Sequence, residues 1–110
     1  MARKTESEDQ QIYQMQVRIC KAFANPARLR MLDMMAKREY SVADLQAALG
    51  ISAPNLSQHL SILKAAGVVT TRRDGKQIYC SLTFPEVKQA CQLIRDVLRA
   101  QVRNDRNLTI

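Results

Sequence analysis

The 110 residues carry seventeen Lys and Arg against ten Asp and Glu, a net charge of +7, and they suffice for one domain with no second core. A hydrophobic share of 46% and a charged share of 25% are globular values, and no apolar run is long enough for a transmembrane helix. The basic excess points to a polyanionic partner, either nucleic acid or an anionic membrane surface.

The opening Met1-Ala2-Arg3-Lys4 leads into acidic Thr5–Asp9 and not into an apolar stretch, so no signal peptide is read. Three cysteines spaced 60 and 11 residues apart fit neither a disulfide framework nor a zinc module, so a reducing cytoplasm is expected. Thr5-x-x-Glu8 reads as a capping box for a first helix from about Ser7 to Ala24. That helix carries two apolar stripes, Ile12, Met15, Ile19, Phe23 and, beside them, Tyr13, Val17, Cys20, Ala24. Two stripes are more than one small core can cover, and a chain of this size buries only about 60–65% of its unfolded surface; a second copy is the economical partner.

Asn25-Pro26 supplies an N-cap and N1 residue for a second helix to Lys37, with Leu29, Leu32 and Met35/Ala36 inward. Ser41 caps a third, Val42 to Leu49, whose inner face is Leu45, Ala48 and Leu49. Gly50 suits the C-terminal cap, Ile51 plugs the turn, and Ser52 caps a fourth helix running to about Ala66. Two helices joined by Gly50-Ile51-Ser52 match a helix-turn-helix. Val68–Arg73 and Gln77–Leu82 flank Asp74-Gly75-Lys76 and read as a hairpin, with Ile78, Cys80 and Leu82 on one face. Pro85 opens a last helix carried by Val87, Ala90, Cys91, Ile94, Val97, Leu98 and Val102, and Asn104–Ile110 reads as a frayed tail. The expected fold is mainly α with a β-hairpin wing, a winged helix-turn-helix of order ααααββα in one domain spanning residues 1–110.

Projected at 100° per residue, the fourth helix turns Leu56, Leu60 and Leu63 to the core, with Pro54, Gln58 and Ser61 opposite and Asn55 and Ser57 on the flanks. With Ser52 this polar set suits hydrogen bonding to double-stranded DNA. Gln58 is the candidate for base reading, because its amide pairs bidentately with adenine. His59 projects nearer the core edge, where anchoring the helix, touching a phosphate and reading a base are all open. Arg72, Arg73 and Lys76 gather at the hairpin tip as a phosphate clamp. A winged helix used only for protein contact is the competing reading, and the polar face beside a basic wing argues against it. With one histidine and no Gly-rich phosphate loop or carboxylate cluster, no catalytic constellation assembles.

Residues 20–101 resemble the ArsR/SmtB family of small dimeric winged-helix repressors. The resemblance rests on Lys21-Ala-Phe-Ala-Asn-Pro-Ala-Arg-Leu-Arg-Met-Leu32, Ser41-Val-Ala-Asp-Leu45, Ser57-Gln-His-Leu-Ser-Ile-Leu-Lys64 and Gly67-Val-Val-Thr-Thr-Arg-Arg-Asp-Gly-Lys76, four stretches in order. It implies a homodimer built on the first and last helices, binding an operator until an effector (metal ion, metalloid or oxidising sulfur species) releases it. The familiar effector sites do not carry over. Ser41 and Ala43 stand where arsenic-type members have thiolates, the last helix lacks the histidine of zinc-type members, and Asp33 and Arg99 occupy the cysteine positions of persulfide-sensing members. No metal site and no certain cofactor are expected. Cys20 and Cys91, on the two dimerisation helices, remain as a candidate pair for a thiol-bound effector, against the alternatives of two packed hydrophobes and a regulator with no small-molecule switch. Cys80 is expected to face inward from the wing.

Overall fold

The side chains that end each helix also set the path of the chain. In a computed structural model, which describes residues 7–108 and side chains as far as residue 105, Ser7 caps α1 (Glu8–Phe23). Its hydroxyl accepts from the Gln10 amide at 3.1 Å, and the Gln10 side-chain oxygen in turn accepts from the Ser7 amide. The capping box is therefore Ser7/Gln10; Thr5, the expected cap, lies outside the described residues. Asn25 caps α2 (Pro26–Lys37) by accepting from the amides of Ala27 and Arg28 at 2.9 and 3.1 Å. Ser41 and Ser52 do the same for α3 (Val42–Leu49) and α4 (Ala53–Ala65). Gly50 ends α3 at φ 65°, a left-handed conformation that an L-residue with a Cβ adopts only with strain.

Two strands that follow α4 join a short one that precedes α3 in an antiparallel sheet, whose order is β1 (Tyr40–Ser41), β3 (Gln77–Leu82), β2 (Val69–Asp74). The wing is thus three-stranded. Sequence reading misses β1, because two residues are too few to show alternation and their partners, Cys80 and Tyr79, lie some forty positions away. Asp74 pairs with Gln77 across a two-residue loop in which only Gly75 has positive φ, the pattern of a II′ hairpin turn. α5 (Glu86–Leu108) then runs for 23 residues. Asn104 to Leu108, expected as frayed tail, belong to this helix, while residues 109–110 lie outside the description.

Met31, Leu32 and Met35 of α2, Leu45 of α3, Leu56, Leu60 and Leu63 of α4, and Val68, Val69 and Cys80 of the wing bury one core. On α2, Met31 takes the inner place expected of Leu29, which sits on the helix shoulder. On α3, Ala48 is exposed, and its carbonyl accepts from Arg30 at 3.1 Å, tying α2 to the end of α3. Ile19 and Phe23 of α1 and Val87 of α5 reach this core, but most of both helices does not. Ile12, Tyr13, Met15 and Val17 of α1, and Leu93, Ile94, Val97, Leu98 and Val102 of α5, are each at least half exposed. Two long helices thereby carry apolar surface that their own protomer leaves uncovered. Among the described residues no helix is long and apolar enough to cross a membrane.

Candidate nucleic-acid interface

With Leu56, Leu60 and Leu63 fixed in the core, helical geometry leaves Asn55, Ser57, Gln58 and Ser61 on the outside of α4, and all four side chains are exposed. Ser52 is exposed as well, although its hydroxyl already accepts from the Asn55 amide at 3.3 Å. Ser57, Ser61 and Lys64 line a cavity of about 260 Å³ that α4 shares with Val42 and Gln46 of α3 and with Thr71 and Ile78 of the wing. Lys64 and Gln46 escape a sequence reading because they join this face only through the packing of α3 and the wing on α4.

The three wing cations are not equivalent. The Arg72 guanidinium donates to both carboxylate oxygens of Glu39, at 2.6 and 2.9 Å. It also lies 3.7 Å from Asp74 and covers the Tyr79 ring at 4.6 Å. The hydrogen bond from Arg72 holds the Glu39 carboxyl below the usual carboxylate range, against a smaller opposing effect of desolvation. Because the folded value is lowered, the clamp contributes to stability above the unfolded carboxylate pKa. That contribution is lost as pH falls through the folded value. Both groups are open to solvent, so the pair acts chiefly on the conformation of the wing. Among the described residues Arg73 and Lys76 form no ion pair.

His59 is half-buried on the edge of α4, with Nδ1 3.2 Å from a guanidinium nitrogen of Arg28. Cys80 is fully buried, as its alternation implies, and burial pushes its thiol pKa up. Cys20 is exposed in a groove whose other lining residues, Tyr13, Gln16, Val17, Lys21 and Ala24, all belong to α1 or its cap. Cys91 is only 6% exposed, and it lies in the field of Arg95 and Asp33, which pair with each other across α5 and α2. Arg99, at the other persulfide-type position, pairs with Asp96 at 3.6 Å. Among the described residues of the protomer no three His, Cys, Asp or Glu side chains converge.

A helix-turn-helix whose second helix presents a polar face beside a basic hairpin defines a winged helix-turn-helix. The chain belongs to the arsR family of bacterial regulatory proteins, whose sequence profile matches residues 25–71; this is a family of regulators and not of enzymes. It is similar to an uncharacterised HTH-type transcriptional regulator of Mycobacterium tuberculosis, Rv0081, at 37% identity over 90% of this chain and 87% of the relative. The crystal structure of Rv0081 superposes with a TM-score of 0.76 at 38% identity, over 86% of this chain and 95% of that one. A biofilm growth-associated repressor of Agrobacterium fabrum is 37% identical over 78% of this chain and 74% of its own. The homodimeric winged helix-turn-helix DNA-binding domain of Mb0332 from Mycobacterium bovis, a possible ArsR-family regulator, matches with a TM-score of 0.82 at 28% identity, covering 94% and 95%.

Proposed function

We propose that this chain is a cytoplasmic, homodimeric transcriptional repressor that reads an inverted-repeat operator with α4 and grips the flanking phosphates with its wing. The observation that carries this reading is the exposed set Asn55, Ser57, Gln58 and Ser61 on α4, beside a wing with two unpaired cations. Such a helix enters the major groove, where a glutamine amide distinguishes adenine, while lysine and arginine on the wing neutralise phosphates without regard to sequence. A twofold dimer requires a matching twofold site.

Substitution separates the two roles. Arg73→Ala and Lys76→Ala should each weaken cognate and scrambled DNA about equally and reduce the log–log salt slope by roughly one unit per lost contact. Gln58→Ala should instead cost about 1–3 kcal/mol at the cognate site and narrow the gap between cognate and scrambled DNA. Binding isotherms over a salt series measure both, and an unchanged gap in Gln58→Ala removes α4 as the reading helix.

Arg72 joins the clamp only by leaving Glu39. Glu39→Gln should therefore strengthen DNA binding and steepen the salt slope by roughly one unit per engaged arginine. A slope equal to wild type would assign Arg72 to holding the wing alone. A thiol-bound effector that releases the operator would begin at Cys20, the most exposed of the three cysteines in the protomer.

A further inference from the structure

Arg28, the third residue of α2, ties three helices together. Its Nε donates to the Ala22 carbonyl at 2.6 Å and one Nη to the Lys21 carbonyl at 3.3 Å; both acceptors lie in the last turn of α1, and the Lys21 carbonyl also accepts from the Ala24 amide at 3.2 Å. The other Nη lies 3.2 Å from His59 Nδ1 on α4. A guanidinium has donors and no acceptor and stays protonated, so Nδ1 must supply the lone pair. That fixes the imidazole as the neutral form with its proton on Nε2.

Nε2 has no hydrogen-bond partner among the described residues. No buried side-chain nitrogen or oxygen there is without a partner, so Nε2 reaches solvent. His59 is half-buried while its neighbours Asn55 and Gln58 are exposed, which puts it on the edge of the reading helix and not at its crest. A crest residue meets the floor of a groove; an edge residue meets its phosphate wall. The Arg28 cation behind the ring adds an electrostatic pull on an anion.

We propose that Arg28 locks His59 in the Nε2–H tautomer and that this outward N–H donates to a phosphate of the bound DNA, making Arg28 the positioning residue of the contact. The phosphate contact rests on the reading of α4 as the DNA-binding helix, whereas the tautomer is a property of the free protein. One lock thus joins the end of an apolar helix, α1, to the helix that meets DNA.

His59 is the only histidine of the chain, so a long-range ¹⁵N–¹H correlation spectrum of the free protein reports it alone. The expected signature is a protonated Nε2 and a bare Nδ1 at neutral pH, giving way to a tautomer mixture in Arg28→Met. An Nδ1–H tautomer or an imidazolium in wild type overturns the lock, whether or not the Arg28 variant folds. His59→Asn places an amide at the Nδ1 position, keeping an acceptor for Arg28 and removing the outward donor. Affinity for DNA should fall roughly tenfold, the loss of one hydrogen bond to a charged acceptor, with salt slope and sequence discrimination unchanged. His59→Gln, which reaches the Nε2 position, should recover most of that loss. Unchanged affinity in His59→Asn overturns the phosphate contact, and so does a loss confined to the cognate sequence, which means base reading. If Gln58→Ala and Arg73→Ala also bind like wild type, the fault lies with the DNA-binding face, and the tautomer result still stands.

Discussion

A chain carrying Leu98→Glu and Val102→Glu should remain folded, run as a monomer, and bind its operator about 100-fold or more weakly than wild type. Both side chains are about half exposed on α5, and neither belongs to the protomer core, so the substitutions remove no internal packing. They place carboxylates in the apolar face formed by Leu93, Ile94, Val97, Leu98 and Val102, which a partner must desolvate to cover. The large effect on DNA comes from geometry and not from any lost DNA contact. Two tethered reading helices bind as one unit, and their avidity exceeds that of one half by about 10²–10⁴. Light scattering with circular dichroism checks the first two outcomes and operator titration the third. A double variant that stays dimeric would move the interface off α5.

The uncovered face also explains what could be read from the residues alone. Asn25-Pro26, Ser41, Gly50, Ser52 and Gly75 act within a few positions of themselves, through caps and turns, so α2, α3, α4 and the hairpin tip lie where local chemistry puts them. The crest of α4 follows equally directly, because Leu56, Leu60 and Leu63 leave only one outward face. Features set at long range were hidden. Glu39 captures Arg72 across 33 positions, Arg28 reaches His59 across 31, and β1 exists only because β3 comes back to meet it. Met31 displaces Leu29 from the core through the angle at which α2 meets its neighbours, which residue spacing cannot set.

In a protomer without its partner, as in the Leu98→Glu/Val102→Glu variant, Cys20 should react with iodoacetamide at least an order of magnitude faster than Cys91 or Cys80. A thiolate must form and be reached, and Cys91 and Cys80 are held back on both counts. Cys20 is exposed beside Tyr13, Val17 and Lys21, whereas Cys91 is buried and Cys80 fully so. Burial raises both buried thiols above their ordinary pKa, an effect that the nearby cations Arg95 and Lys64 reduce without reversing. Raised folded values also mean that the stability these protonated thiols contribute is present below the unfolded thiol pKa and is lost as pH rises through the folded one. Cys20 and Cys91, candidates together because both lie on the helices that the resemblance assigns to the dimer, thus differ in access within the protomer. If the two thiols bind an effector, the first adduct is expected on Cys20, because Cys91 is buried beside the Asp33–Arg95 pair that joins α2 and α5. If As(III) or polysulfide weakens operator binding by the roughly 5- to 150-fold typical of allosteric coupling, Cys20→Ser should abolish the response. Cys91→Ser should slow or reduce it while leaving the first adduct on Cys20, detectable by mass spectrometry. A full response in Cys20→Ser would place the switch elsewhere in the protein, and labelling of Cys91 as fast as Cys20 would mean that α5 opens far more readily than its packing on α2 implies.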